Sequence, residues 1–155
     1  MADAGPILRD VAQALNECGL EAILIGNAAA ALQGAPVSTL DFDFMFRNNA
    51  PNLKKLKRLA AILGGRLFVP YYPASQLYRL INDGRGLQID FMSVLHGIRS
   101  FESLRSRAIP MFIGGHPILV ADLGDIIRSK RALGRAQDRA ILEILEKTRD
   151  EKERK

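Results

Sequence analysis

Three aspartates carry the chemistry that this sequence offers. In Leu40-Asp41-Phe42-Asp43-Phe44-Met45-Phe46 the residues alternate as in a β-strand. Leu40, Phe42, Phe44 and Phe46 are predicted to face a core, which leaves Asp41 and Asp43 together on the other face. Aspartate is a poor strand former, so two on one face need a reason. Ionised carboxylates at that spacing repel, and a divalent cation removes the repulsion. Leu87 to Met92 repeats the pattern, with Ile89 and Phe91 inward and Gln88 and Asp90 outward. With the two strands adjacent, Asp90 joins the pair. Three carboxylates suit a hard, oxygen-seeking Mg²⁺ or Mn²⁺. No His or Cys stands at zinc-like spacing. A solvent-facing edge strand accounts for a lone D-x-D without any metal. The matching third aspartate favours the metal.

These residues need a scaffold, and the chain supplies one. Pro6 with Val11, Leu15 and Cys18 at helical spacing predicts a first helix over 6–18, stopped by Gly19. Glu21 to Gly26 reads as a buried strand. Asn27 is read as the N-cap of an Ala-rich helix closed by Gly34. A strand over 39–46 precedes a helix over 51–63, with Leu53, Leu56, Ala60 and Leu63 on one stripe. Residues 66–69 read as a strand, 77–82 fit helix or strand, and 82–86 form a turn before the strand 87–94. Helix or loop fills 97–108. A hairpin around Gly114-Gly115 joins 109–113 to 117–120, and two helices, 122–133 and 136–150, close the chain. The fold class is α/β (α+β): a small mixed central sheet with helices packed on it and two C-terminal helices. One domain over 1–155 is expected, with 150–155 frayed.

Composition narrows the setting. Of the 155 residues 48% are hydrophobic and 25% charged, as in a soluble globular domain. No apolar run reaches the roughly 18 residues of a membrane span. The start shows no signal-peptide pattern, and a single cysteine, Cys18, fits a reducing, cytoplasmic location. Cys18 reads as a buried structural thiol. The net charge of +5 is uneven. Residues 128–155 hold ten basic and six acidic side chains, and Arg47, Lys54, Lys55, Lys57 and Arg58 add a run without an acid. This is either a surface for nucleotide or RNA phosphates or a solvated helix face. His96 and His116 read as surface residues. Tyr71, Tyr72 and Tyr78 line a base pocket or pack the core.

The Gly26-Asn27 turn, between a strand and a helix, offers free backbone N–H groups of the kind that bind phosphate. Taken alone it reads more readily as an ordinary βα turn, since it is neither a P-loop nor G-x-G-x-x-G. Lys130 and Asp138 both fall on the inner faces of their helices, where unpaired charge is rare. Either they pair, or they serve a ligand.

The order Ala22-Ile-Leu-Ile-Gly-Asn-Ala-Ala-Ala-Ala-Leu-Gln-Gly34, Thr39-Leu-Asp-Phe-Asp43 and Gln88-Ile-Asp-Phe91 resembles the nucleotidyltransferase superfamily with the DNA polymerase β-like fold. The likeness, over roughly 8–145, is greatest to small AbiEii/AbiGii-like and minimal nucleotidyltransferases of toxin–antitoxin and abortive-infection systems. It implies transfer of a nucleoside monophosphate from an NTP to a protein or RNA hydroxyl. By the same resemblance Asp41, Asp43 and Asp90 would hold Mg²⁺ (or Mn²⁺), and Asp90 would orient or deprotonate the acceptor. Gly26, Asn27, Thr39 and Lys130 would bind the nucleotide. Lys130-Arg-Ala-Leu-Gly-Arg135 with Asp138 resembles a closing K…R-x-x-D segment whose lysine reaches the triphosphate. Implied partners are the nucleotide, a cognate toxin or antitoxin protein, or tRNA, with no membrane. Two departures bear on nucleotide affinity: Asn27 stands where many members carry Ser, and Val37 and Ser38 fill a stretch that often holds Arg. They keep open a catalytically inactive binding or antitoxin module. The basic helices alone would support a nucleic-acid-binding module.

Overall fold

Phenylalanine at every second position pins the centre of the molecule. The computed structural model describes residues 5–38, 41–70 and 77–154. Its order is α1 (Gly5–Cys18), β1 (Ala22–Ile25), α2 (Gly26–Leu32), β2 (Phe42–Phe46), α3 (Ala50–Ile62), β3 (Arg66–Phe68) and β4 (Leu77–Asn82). A short 3-10 turn leads to β5 (Leu87–Met92), α4 (Phe101–Arg107), β6 (Ile109–Ile113), β7 (His116–Val120), α5 (Leu123–Leu133) and α6 (Ala136–Glu153).

Among the described residues seven strands form one mixed sheet, ordered β3-β4-β5-β2-β1-β7-β6. The central pair β2 and β5 runs parallel, with Phe44 opposite Phe91. Their rings stack at 5.4 Å, and Phe46 meets both Phe91 and Tyr78 edge-on at 6.0 Å. Phe42, Phe44, Phe46, Ile89 and Phe91 are all buried. The side-chain period of two then fixes the opposite face for the aspartates.

That opposite face is covered as well, since Met45 is as buried as the phenylalanines. α2 packs on β1 and β2, α5 on α2, and α6 on α5, while α1 packs on α3 and the β6–β7 hairpin. Asp125 of α5, almost fully buried, accepts from Arg107 of α4 at 2.8 Å and from Arg128 at 2.9 Å. This bridge ties α4 to α5 beside the sheet.

The expected elements are present with shifted ends. The ambiguous segment 77–82 is a strand, because all six of its residues pair antiparallel with β5. Asn27 is not a cap: α2 starts at Gly26, with Ile25 in the cap position and no side-chain bond there. β2 begins at Phe42, so Asp41 precedes the strand. α6 continues to Glu153, past the expected end at 150. Tyr71 and Tyr72 lie outside the described residues.

Phe91→Ala removes the ring on which Phe44 and Phe46 both lean. It is expected to lower the unfolding free energy by about 3–5 kcal/mol, read by urea denaturation.

Candidate active site

Strand register sets four side-chain positions in one row. Arg79 on β4 is directly opposite Asp90 on β5, Asp90 is opposite Asp43 on β2, and Asp43 is opposite Ile25 on β1. Directly opposed residues share a face. The row therefore reads cation, anion, anion, apolar. The strand adjacency that places Asp90 beside Asp43 is present.

The two carboxylates fare differently. Asp90 is buried and receives a bidentate fork from Arg79, Nε to Oδ1 at 2.8 Å and Nη2 to Oδ2 at 3.1 Å. Among the described residues no ion pair reaches Asp43. Burial pushes the Asp43 carboxyl up to about 6, helped by the charges of Asp90 and Asp41, and only partly relieved by Lys130 and Arg79. Asp41 is exposed at the strand entrance.

Gly26 closes the row at the end of β1. Its φ is +68°, and a Cβ there would lie 3.1 Å from Asp43 Oδ2. Glycine thus lets the backbone approach the carboxylate. Next to it, Asn27 Oδ1 is the one buried side-chain oxygen or nitrogen among the described residues without a hydrogen-bond partner. An unmet buried acceptor costs about 1–3 kcal/mol, which a bound ligand's donor or a water recovers. Thr39 lies outside the described residues.

Lys130 of α5 and Arg135 in the turn to α6 form a cationic wall of the Asp43 cavity. Asp138 is buried and gripped by Arg135, Nε to Oδ2 at 2.6 Å and Nη2 to Oδ1 at 3.1 Å. That pairing holds the Asp138 carboxyl below its usual range, with burial opposing. Lys130 Nζ stands farther off, 3.7 Å from Asp138 Oδ1. Burial pulls its ammonium pKa down, while Asp138 and then Asp43 support the charge. The expected Lys130–Asp138 pair exists, but Arg135 holds the better geometry. Lys130 also lines the Asp43 cavity.

That cavity measures about 500 Å³ and touches Gly26, Asp43, Asp90, Lys130 and Arg135. Part of its lining is apolar, with Val94, Leu95, Leu104, Ile126 and Leu133. His96 is exposed and lines it too, and Tyr78 is half-buried against Phe46. Arg79 was not predicted. Only the β4–β5 register reveals it, and the sequence left 77–82 open between helix and strand.

The donor set fits a divalent ion in part. Asp41 and Asp43 are hard oxygen donors, and burial with the charges of Asp90 and Asp41 raises the Asp43 carboxyl. Among the described residues, no group of three or more His, Cys, Asp or Glu side chains converges as a metal-holding set. Asp90 faces the sites but is already committed to Arg79.

Three solved structures share this architecture. TM1012 of Thermotoga maritima, provisionally assigned as a nucleotidyltransferase, superposes with TM-score 0.59 and 19% identity over 89% of each chain. The antibiotic-resistance factor ANT(2'')-Ia gives 0.64 at 13% identity, over 90% of this chain and 80% of that one. The fold is nucleotidyltransferase-like. The lincosamide antibiotic adenylyltransferase LnuA, solved with lincomycin bound, gives 0.62 at 12% identity, over 94% of this chain and 97% of its own. No family model and no curated protein matches the sequence. The path of the chain thus agrees with the resemblance carried by its motifs.

Because the Asp43 carboxyl is pushed up to about 6 in the fold, above its ordinary 3.8, the folded state binds its proton more tightly. Its contribution favours folding below about 4 and is lost as pH rises through about 6. Asp43→Asn is expected to raise metal-free stability at neutral pH by about 1–3 kcal/mol. Urea unfolding at pH 7 and at pH 4 checks it, and the gain should vanish at the lower pH.

Proposed function

We propose that this chain transfers a nucleoside monophosphate from an NTP to a hydroxyl acceptor. The observation that carries the reading is Asp43, half-buried and with no ion pair among the described residues, opposite Asp90, against the Gly26 backbone and in the cavity that Lys130 also lines. On a nucleotidyltransferase-like fold, this arrangement supports a site for a metal-bound triphosphate.

Asp41 and Asp43 would hold Mg²⁺ (or Mn²⁺), which would supply charge neutralisation on the triphosphate. The α2 N-terminus at Gly26 and Asn27 would take the distal phosphates through backbone N–H groups and the Asn27 amide, with Lys130 opposite. Asp90 would accept the hydrogen bond of the acceptor hydroxyl and so aim its oxygen at the α-phosphorus. The new P–O bond forms at that oxygen as the bond to pyrophosphate breaks, and the hydroxyl proton leaves toward Asp90. The wall formed by Lys130 and Arg135 would receive the charge on the departing pyrophosphate.

The acceptor proposed is a protein or RNA hydroxyl, in a cytoplasmic, AbiEii-like toxin–antitoxin component whose partner is a cognate protein or tRNA. The exposed Lys54, Lys57 and Arg58 on α3 suit a polyanionic acceptor. The antibiotic adenylyltransferases sharing the fold add a small-molecule hydroxyl as a second acceptor class. A second reading, an inactive binding or antitoxin module, is favoured by the Arg79 fork on Asp90.

Each α-labelled NTP, incubated with Mg²⁺ and cell-extract protein, tRNA or candidate small hydroxyl compounds, should give a labelled product. Asp43→Ala should reduce it by a factor of about 10³ or more. Absence of transfer with every NTP, together with tight binding to a partner chain, would establish the inactive reading.

A further inference from the structure

Arg79 occupies a place that a metal-binding carboxylate would normally keep open. Its fork takes one hydrogen-bond site on each oxygen of Asp90, at 2.8 and 3.1 Å. The guanidinium is held there by the six-residue β4–β5 pairing, with Arg79 and Asp90 directly opposed. It is also only partly exposed, while the Asp90 side chain is 12% exposed. A guanidinium stays charged at any physiological pH. A divalent ion bridging Asp43 and Asp90 would meet a fixed positive charge on its Asp90 side, in a cavity where screening is weak. The same constraint leaves Asp43 unaffected on its other flank, where Ile25 and Gly26 supply no charge.

From this the structure assigns Arg79 as a resident cation that balances Asp90 and takes the place of a second divalent ion. Resting on the metal-site reading proposed above, it makes the centre a one-ion site, held by Asp41 and Asp43, with Asp90 outside the ligand set. Arg79 is a positioning residue here: it fixes the Asp90 carboxylate and limits the ion count. That no three acidic side chains among the described residues converge as one metal-holding set agrees with this division.

Mn²⁺ alone is the probe, counted on the full chain by electron paramagnetic resonance titration. The native protein is expected to bind one Mn²⁺ per chain. Arg79→Gln should expose Asp90 and admit a second. The double variant Arg79→Gln with Asp90→Asn removes both charges and should return the count to one, with a dissociation constant within about threefold of the native value. Circular dichroism checks that each variant is folded. Should Arg79→Gln fail to fold, the native count and the double variant still decide. Two ions on the native protein, or loss of the ion in the folded double variant, would overturn the one-ion assignment alone. No Mn²⁺ on the native protein would sink the metal reading itself, and the assignment with it.

Discussion

Asp43 and Asp90 lie directly opposite one another on two parallel strands, and the hydrophobic core holds them there. Phe44 stacks on Phe91 one residue farther along both strands, on the other face of the sheet. Sliding β2 by one position would turn the phenylalanines into the cavity and the aspartates into the core. Burial of those rings is worth far more than the repulsion between two carboxylates. The charge accumulation is therefore imposed by packing, and the rest of the site answers it.

The answers come from different directions. Arg79 settles Asp90 from the neighbouring strand. Asp138 is settled by Arg135 within the turn from α5 to α6, which leaves Lys130 the looser partner at 3.7 Å. Asp43 receives neither kind of help. Beside it lie the apolar Ile25 and the backbone at Gly26, and the charges of Lys130 and Arg79 relieve it only in part. Keeping such a group lowers stability at neutral pH, and a bound cation, as proposed for this site, would recover part of that loss. The orphaned Asn27 oxygen beside it is a second cost of the same kind.

Much of this was legible in the sequence, for physical reasons. The alternation of Phe42, Phe44 and Phe46 with Asp43 follows from the two-residue period of a strand, and the buried phenylalanines bear it out. The inward positions of Lys130 and Asp138 follow from helical spacing, and both are buried. What escaped depends on partners far away in sequence. Arg79 gains its role only from register with Asp90, and nothing local distinguishes 77–82 as a strand. Asn27 has the chemistry of a cap, yet Gly26, with its positive φ, makes the turn out of β1, and Asn27 lies inside α2 with its Oδ1 unmet. Arg47 looked like part of a basic patch, but Glu21 and Glu102 each accept from it at 2.6 Å. Charge counted along a chain omits the pairings made across the fold.

In the proposed site the Asp43 carboxylate carries the charge that a cation would balance. The direct measurement is a pH titration of the Asp43 side-chain carboxyl by carbon-detected nuclear magnetic resonance, without and with Mg²⁺. A midpoint near 6 is expected without the ion, moving down as Mg²⁺ is added, because ion and proton compete for the same oxygens. A midpoint near the ordinary 3.8, or one that Mg²⁺ leaves in place, would contradict it.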